Sequence, residues 1–178
     1  VIGSIDELKK HTKKSGNPHF IMRHGEAEHQ IKHLYASDTG TYPLTTNGKE
    51  QVKTSADKLK THHITKICSS PVLRCRETAE IAALTLGLSP EEVIFAPELR
   101  ELNAGTYNGK TWDEYRATFA SVADRFETAA QGGETLLDVR DRAVKFVHDL
   151  EKKHDRKKIL IISHGDTIFF MQKGVKGL

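Results

Sequence analysis

Ile21-Met22-Arg23-His24-Gly25-Glu26 and Ile161-Ile162-Ser163-His164-Gly165-Asp166 are two versions of one pattern, set near opposite ends of the chain. In each, an apolar stretch of strand length runs directly into a His-Gly step followed by a carboxylate. Strands that alternate with helices imply a largely parallel sheet, and an open parallel sheet binds its ligands beyond the carboxyl ends of its strands. If these two strands are parallel neighbours, both imidazoles face one cavity. Each glycine is expected to remove a Cβ where backbone approaches a ligand closely.

The intervening chain supplies the alternation. A strand is predicted over His19 to Met22, and residues 27 to 44 read as a loop with room for a short helix. Thr45 can cap a helix running to about Lys60, with Val52, Ala56 and Leu59 on one face. Asn47-Gly48 resembles a hairpin turn, but its flanks do not alternate, so a helix start is preferred. Ile64 to Cys68 is the next strand. Ser69-Ser70-Pro71 then opens a helix whose apolar face is Val72, Cys75, Ala79, Ala82 and Leu86, and Gly87 ends it. Val93 to Phe95 is a third strand, and Glu98 to Lys110 is a loop rich in Gly and Asn. Thr111 can cap a helix through about Phe126. Gln131-Gly132-Gly133 breaks the chain before a long helix over Glu134 to Lys153, with Leu136, Val139, Ala143, Val147 and Leu150 facing inward. Ile159 to Ile162 is the last strand, and a helix follows it. The fold class expected is an α/β, three-layer α/β/α sandwich with a mainly parallel sheet.

Bulk properties set bounds on function. The 178 residues fit one core, and 37% hydrophobic with 29% charged residues is ordinary for a globular protein. The longest apolar runs are far too short to cross a membrane. The first residues lack the basic-then-apolar order of a signal peptide. A formal charge of +3 suits anionic ligands without requiring nucleic acid. The two cysteines, Cys68 and Cys75, are too few for a disulfide framework. They are expected to be buried, reduced thiols in a cytoplasmic protein.

Arg23 places a fixed positive charge beside the first imidazole. Arg74 follows the Ile64-to-Cys68 strand through a short turn and can add a second. Two guanidiniums and two imidazoles around one point suit phosphate, because Arg matches its oxygens with bidentate bonds and the transferring group spreads charge over three of them.

These residues belong to an ordered set. Arg23-His24-Gly25-Glu26, Leu44-Thr45 with Gly48, Ser69-Ser70-Pro71 with Arg74 and Glu77-Thr78-Ala79-Glu80, Glu101 with Gly105 and Gly109, Gly133-Glu134, and Ser163-His164-Gly165 follow one another across residues 19 to 170. In this the chain resembles the histidine phosphatase superfamily, also called phosphoglycerate mutase-like. The resemblance implies a phosphohistidine on His24 and a phosphate held by Arg23, Arg74 and His164. It also implies that Glu101 first protonates the leaving oxygen and then activates water. No metal and no cofactor are expected. Two positions depart from the family pattern. Ala27 stands where Thr or Ser is usual, and Gln30 stands where an Asn often binds phosphate. Gln30 carries the same amide on a longer arm. The chain also stops soon after His164, so its C-terminal edge is expected to be short.

Bland readings accompany these. Glu98 lies in the same polar loop as Glu101 and competes for the acid role. A zinc site recruiting His24, His164, Glu26 and Asp166 is disfavoured, because Arg23 and Arg74 would repel the cation. His11, His19, His29, His33, His62, His63, His148 and His154 are expected at the surface, and Trp112 with Tyr115 as a packing pair. The segment from Lys110 to Gly133, which covers the mouth in the family, is short. That favours a phosphatase acting on a small phosphorylated substrate over mutase-type phosphoryl transfer. A phosphate-binding or structural insert with little turnover is the other alternative. Residues 1 to 17 are expected to be a linker or a remnant of a parent domain, with the phosphatase domain over 18 to 178. Ile2-Gly3-Ser4-Ile5-Asp6-Glu7-Leu8 is similar to a stretch of class I aminoacyl-tRNA synthetases of the isoleucyl type. Through such a parent alone would nucleic acid be a partner.

Overall fold

The computed structural model describes residues 19–37, 40–154 and 157–175. The expectations for residues 1 to 17 and for His11 lie outside them. Among the described residues, strands β1 (Phe20–Arg23), β2 (Lys66–Ser69), β3 (Val93–Phe95) and β4 (Ile159–Ser163) form one sheet in the order β1-β4-β2-β3. Every pairing is parallel. β1 and β4 are therefore parallel neighbours, with Arg23 level with Ser163, and the two His-Gly steps leave the sheet side by side.

Alternation along β4 sorts its side chains between two layers. Leu160 and Ile162 join Ile67 and the apolar faces of helices α2 (Thr46–Leu59) and α3 (Leu73–Leu86). Ile159 and Ile161 join Cys68 and the faces of α5 (Leu136–Lys153) and α6 (Gly165–Val175). A strand covered on both faces reads as a continuous apolar run, which is why Ile159 to Ile162 shows no polar alternation. The result is the expected three-layer sandwich. Truncating Ile161 to Ala would cost about 2–5 kcal/mol, since it leaves a cavity in a layer that cannot collapse.

Local signals set most boundaries. Thr45 caps α2 by accepting from Gly48 N at 2.9 Å. Gly87 ends α3 in a left-handed conformation. Thr135 caps α5 with Asp138 answering it in a capping box. The α3 start differs from expectation: Pro71 lies before the helix, and Val72 is its N-cap. Within 27 to 44 there is one short helix, α1 (Glu28–Ile31).

The long helix expected from Thr111 to Phe126 does not form. Thr111 caps only α4 (Trp112–Arg116), and a 3-10 turn follows at Ala123–Phe126. The Thr118 hydroxyl donates back to Tyr115 O at 2.7 Å, and Ser121 N bonds Asp124 Oδ2 at 2.9 Å. Such local side-chain bonds give the backbone an alternative to the helix ladder. Trp112 and Tyr115 do not form the expected pair either. Trp112 meets His33 edge-on and donates its indole N–H to Leu34 O, while Tyr115 packs among Tyr35, Tyr107 and Phe119. Among the described residues, no helix is long and apolar enough to cross a membrane.

Candidate active site

A pocket of about 220 Å3 opens beyond the strand ends, lined in part by Arg23, His29, Arg74, Glu101, Trp112, Arg116 and Asp166. His24 and His164 are not among its lining residues; their ring centroids are 5.2 Å apart, and Arg74 links both to the pocket. Arg74 is fully buried and joins them: its Nε donates to His24 Nε2 at 3.2 Å, and its Nη2 is 2.9 Å from His164 Nδ1. Its Nη1 is buried without a partner among the described residues. A buried guanidinium donor next to two imidazoles is chemically suited to meet an oxyanion.

These bonds fix both tautomers. Arg can only donate, so His24 Nε2 accepts, and the His24 Nδ1–H donates to Gly25 O at 2.7 Å. His164 is the reverse. Its Nδ1 accepts from Arg74, so its Nε2–H donates to Ser70 Oγ at 2.8 Å. Burial first, and the Arg74 charge second, hold both imidazoles well below the usual histidine range. His24 is thus neutral, with the proton on the far nitrogen and a lone pair on Nε2.

The scaffolding explains residues that the sequence marked but could not interpret. Gly25 packs so tightly on α2 that an added Cβ would lie 2.4 Å from Gly48 O, and one on Gly48 would lie 2.0 Å from Glu26 O. Gly25 therefore serves a backbone-to-backbone approach, not the approach to a ligand expected of it. Gly165 needs no such clearance: its nearest neighbour would be the Arg23 guanidinium at 3.7 Å. Thr45 donates to Glu26 Oε1 at 2.6 Å, Thr78 Oγ1 accepts from Gly25 N at 3.3 Å, and Glu77 Oε2 accepts from Leu44 N at 2.6 Å.

Glu101 reaches the pocket, whereas Glu98 is exposed outside it. Glu101 Oε2 stands 3.9 Å from His164 Nδ1, and Oε1 accepts from Leu102 N at 3.0 Å. Burial, followed by repulsion from Asp166, pushes its carboxyl up to about 7. Its loop is tied to α5 by Arg142. That guanidinium donates to Glu98 O at 2.6 Å and Glu101 O at 3.2 Å while pairing with Glu134 at 2.9 Å. Asp166 pairs with Arg125 at 3.8 Å, not with the two catalytic-site imidazoles. Among the described residues, no group of three or more His, Cys, Asp or Glu converges as metal ligands would.

Gln30 is not brought to the pocket lining. Its side-chain Oε1 accepts from Ala27 N at 3.1 Å and so closes the first turn of α1. The neighbouring His29, expected at the surface, lines the pocket instead and is only 6% exposed. His148 is also buried, and His19 is largely covered and pairs with Glu151. Cys68 and Cys75 are free and buried, as expected. Burial pushes the Cys75 thiol up to about 12, which leaves it unreactive beside His164. Ser70 belonged to the Ser69-Ser70-Pro71 motif but had no role assigned, and His29, Arg116 and Arg142 carried no sequence signal of their own; only proximity in the fold reveals what they do.

A parallel sheet with two imidazoles at adjoining strand ends and a buried arginine between them makes an α/β protein with a site suited to an oxyanion. The histidine phosphatase superfamily (branch 1) model matches residues 19–178, and the chain belongs to that family. The probable phosphoglycerate mutase GpmB of Serratia proteamaculans (strain 568) is 29% identical over 164 residues, covering 89% of this chain and 74% of that protein. Bacillus stearothermophilus YhfR superposes with a TM-score of 0.76 at 27% identity, over 88% of this chain and 78% of that one. The alpha-ribazole phosphatase of Shigella flexneri shares the fold, with a TM-score of 0.75 at 22% identity over 88% and 78% of the two chains.

Proposed function

We propose that the protein hydrolyses small phosphomonoesters through a phosphohistidine on His24, with no metal or cofactor. The observation that carries this is the tautomer of His24: Nδ1–H is committed to Gly25 O, which leaves the Nε2 lone pair beside the buried Arg74. Nε2 attacks phosphorus, the phosphorus–oxygen ester bond breaks, and the protonated Glu101 carboxyl gives its proton to the leaving oxygen. Arg74 exchanges its imidazole bonds for phosphoryl oxygens, with Arg23 and His164 beside it. In the second half, the Glu101 carboxylate takes a proton from water, the hydroxide attacks phosphorus, and the nitrogen–phosphorus bond breaks. His24 is regenerated and inorganic phosphate leaves. A group that titrates near 7 is suited to serve as acid and then as base at neutral pH.

The test is direct. Brief incubation with a labelled aryl phosphate should leave an acid-labile, base-stable label that His24→Ala abolishes together with turnover. Label and activity persisting in that variant would refute the assignment. A second reading, phosphoglycerate mutase-type transfer, is favoured by the name of the Serratia relative. It shares the first half-reaction and replaces water with a second oxygen of the substrate. Interconversion of phosphoglycerates without phosphate release would select it.

A further inference from the structure

We propose that His29, rather than Gln30, is the neutral hydrogen-bonding ligand of the phosphate at the base of the pocket. This rests on the phosphohistidine reading above and deepens it. Gln30 occupies the position where the family often has a phosphate-binding Asn, but its side chain turns back so that Oε1 accepts from Ala27 N at 3.1 Å, and it does not line the pocket. One residue earlier, the His29 ring lines the pocket with its centroid 5.7 Å from that of His24. It is 94% buried by its 6% exposure, and its Nδ1 has no hydrogen-bond partner among the described residues. A buried, unpartnered ring nitrogen costs free energy unless something fills the place opposite it. Arg74, whose Nη1 is likewise buried without a partner among the described residues, lines the same pocket. Two orphaned polar groups around one cavity are what a bound phosphate would satisfy together.

The charge state suits the role. Burial, then Arg74 and Arg23, push His29 down to about 3, so the ring is neutral throughout the working range. A neutral imidazole carries one N–H, which can donate to a phosphate oxygen. It adds no charge to a pocket already lined by the guanidiniums of Arg23, Arg74 and Arg116, and so contributes a bond without further like-charge repulsion. The Tyr42 ring packs near it, with centroids 6.2 Å apart.

The probe is inorganic phosphate, titrated against the folded chain, with kcat/KM on an aryl phosphate measured in parallel. His29→Phe keeps the ring and its packing but removes the N–H. It should weaken phosphate binding about 10- to 100-fold, the cost of one hydrogen bond to a charged group. His29→Gln, which restores an amide donor, should recover part of the loss, and Gln30→Ala should cost less than His29→Phe. Binding by His29→Phe equal to wild type, or a larger loss from Gln30→Ala, would overturn the proposal. The two readings fail separately. Turnover surviving in His24→Ala removes the covalent mechanism, yet the phosphate titrations still decide whether His29 is a ligand.

Discussion

The two His-Gly loops are nearly superposable in sequence and opposite in chemistry. After β1, His24 keeps its proton on Nδ1 because Gly25 O accepts it; after β4, His164 keeps its proton on Nε2 because Ser70 Oγ accepts it. Arg74 stands between them and donates to the nitrogen each leaves bare. The difference lies in the partner each ring finds, the motif's own Gly25 carbonyl on one side and Ser70, from the β2–α3 turn, on the other. A repeated motif therefore reports where two side chains meet, and their remaining partners decide which ring nitrogen each presents to Arg74.

The sharpest way to break this comparison is to remove each imidazole in turn. His24→Ala should lose at least about 10^4-fold in kcat and all phosphoenzyme label, as when a nucleophile is deleted. His164→Ala should lose less and still label at position 24. Label found on His164, or equal losses, would erase the distinction. Next in size is Glu101→Gln. Substrates with alkoxide leaving groups should slow about 10^2- to 10^4-fold, and aryl phosphates with good leaving groups much less in the first step. Because the Glu101 pKa is raised, the acid form is present below about pH 7 and is lost above it. Wild-type kcat/KM on alkyl substrates should therefore fall as pH rises through that value. A flat profile there would move the acid elsewhere.

Arg74→Ala should cost about 2–4 kcal/mol of transition-state stabilisation. Arg74→Lys should recover only part, since one ammonium cannot address both imidazoles as the fork does; full recovery would argue against the shared contact. The smallest effect separates the two glycines. Gly25→Ala drives a Cβ into Gly48 and Val52 and should lower stability by about 1–3 kcal/mol in a chemical melt. Gly165→Ala meets only ordinary contacts and should stay within about 0.5 kcal/mol. Equal losses would mean that the close packing around Gly25 is not what anchors the nucleophile loop.

Strand and helix alternation, the β1–β4 neighbourhood and the approach of His24, Arg74 and His164 were legible because His24 and His164 follow the ends of β1 and β4 and Arg74 opens α3 after the short turn from β2, and sheet register leaves little freedom there. Residues 98 to 133 were not. Their conformation comes from tertiary rings around Tyr115, the Gly105–Gly133 contact and side-chain-to-backbone bonds, none of which leaves a period in the sequence. His29 was misplaced for a related reason. A four-residue helix is too short to show which of its faces is buried, so an inward imidazole looked like another polar residue in a loop.

Arg142 has a consequence for how such a protein can diversify. It holds the carbonyls of Glu98 and Glu101 and the carboxylate of Glu134, the two stems of the segment that covers the pocket. The segment between those stems is thus a cassette clipped to the scaffold at its base. On the proposed mechanism its contents could be rewritten to suit a new leaving group while Glu101 stays at its station, and losing the clip would displace the proposed proton donor while leaving Arg74 and the two imidazoles in place.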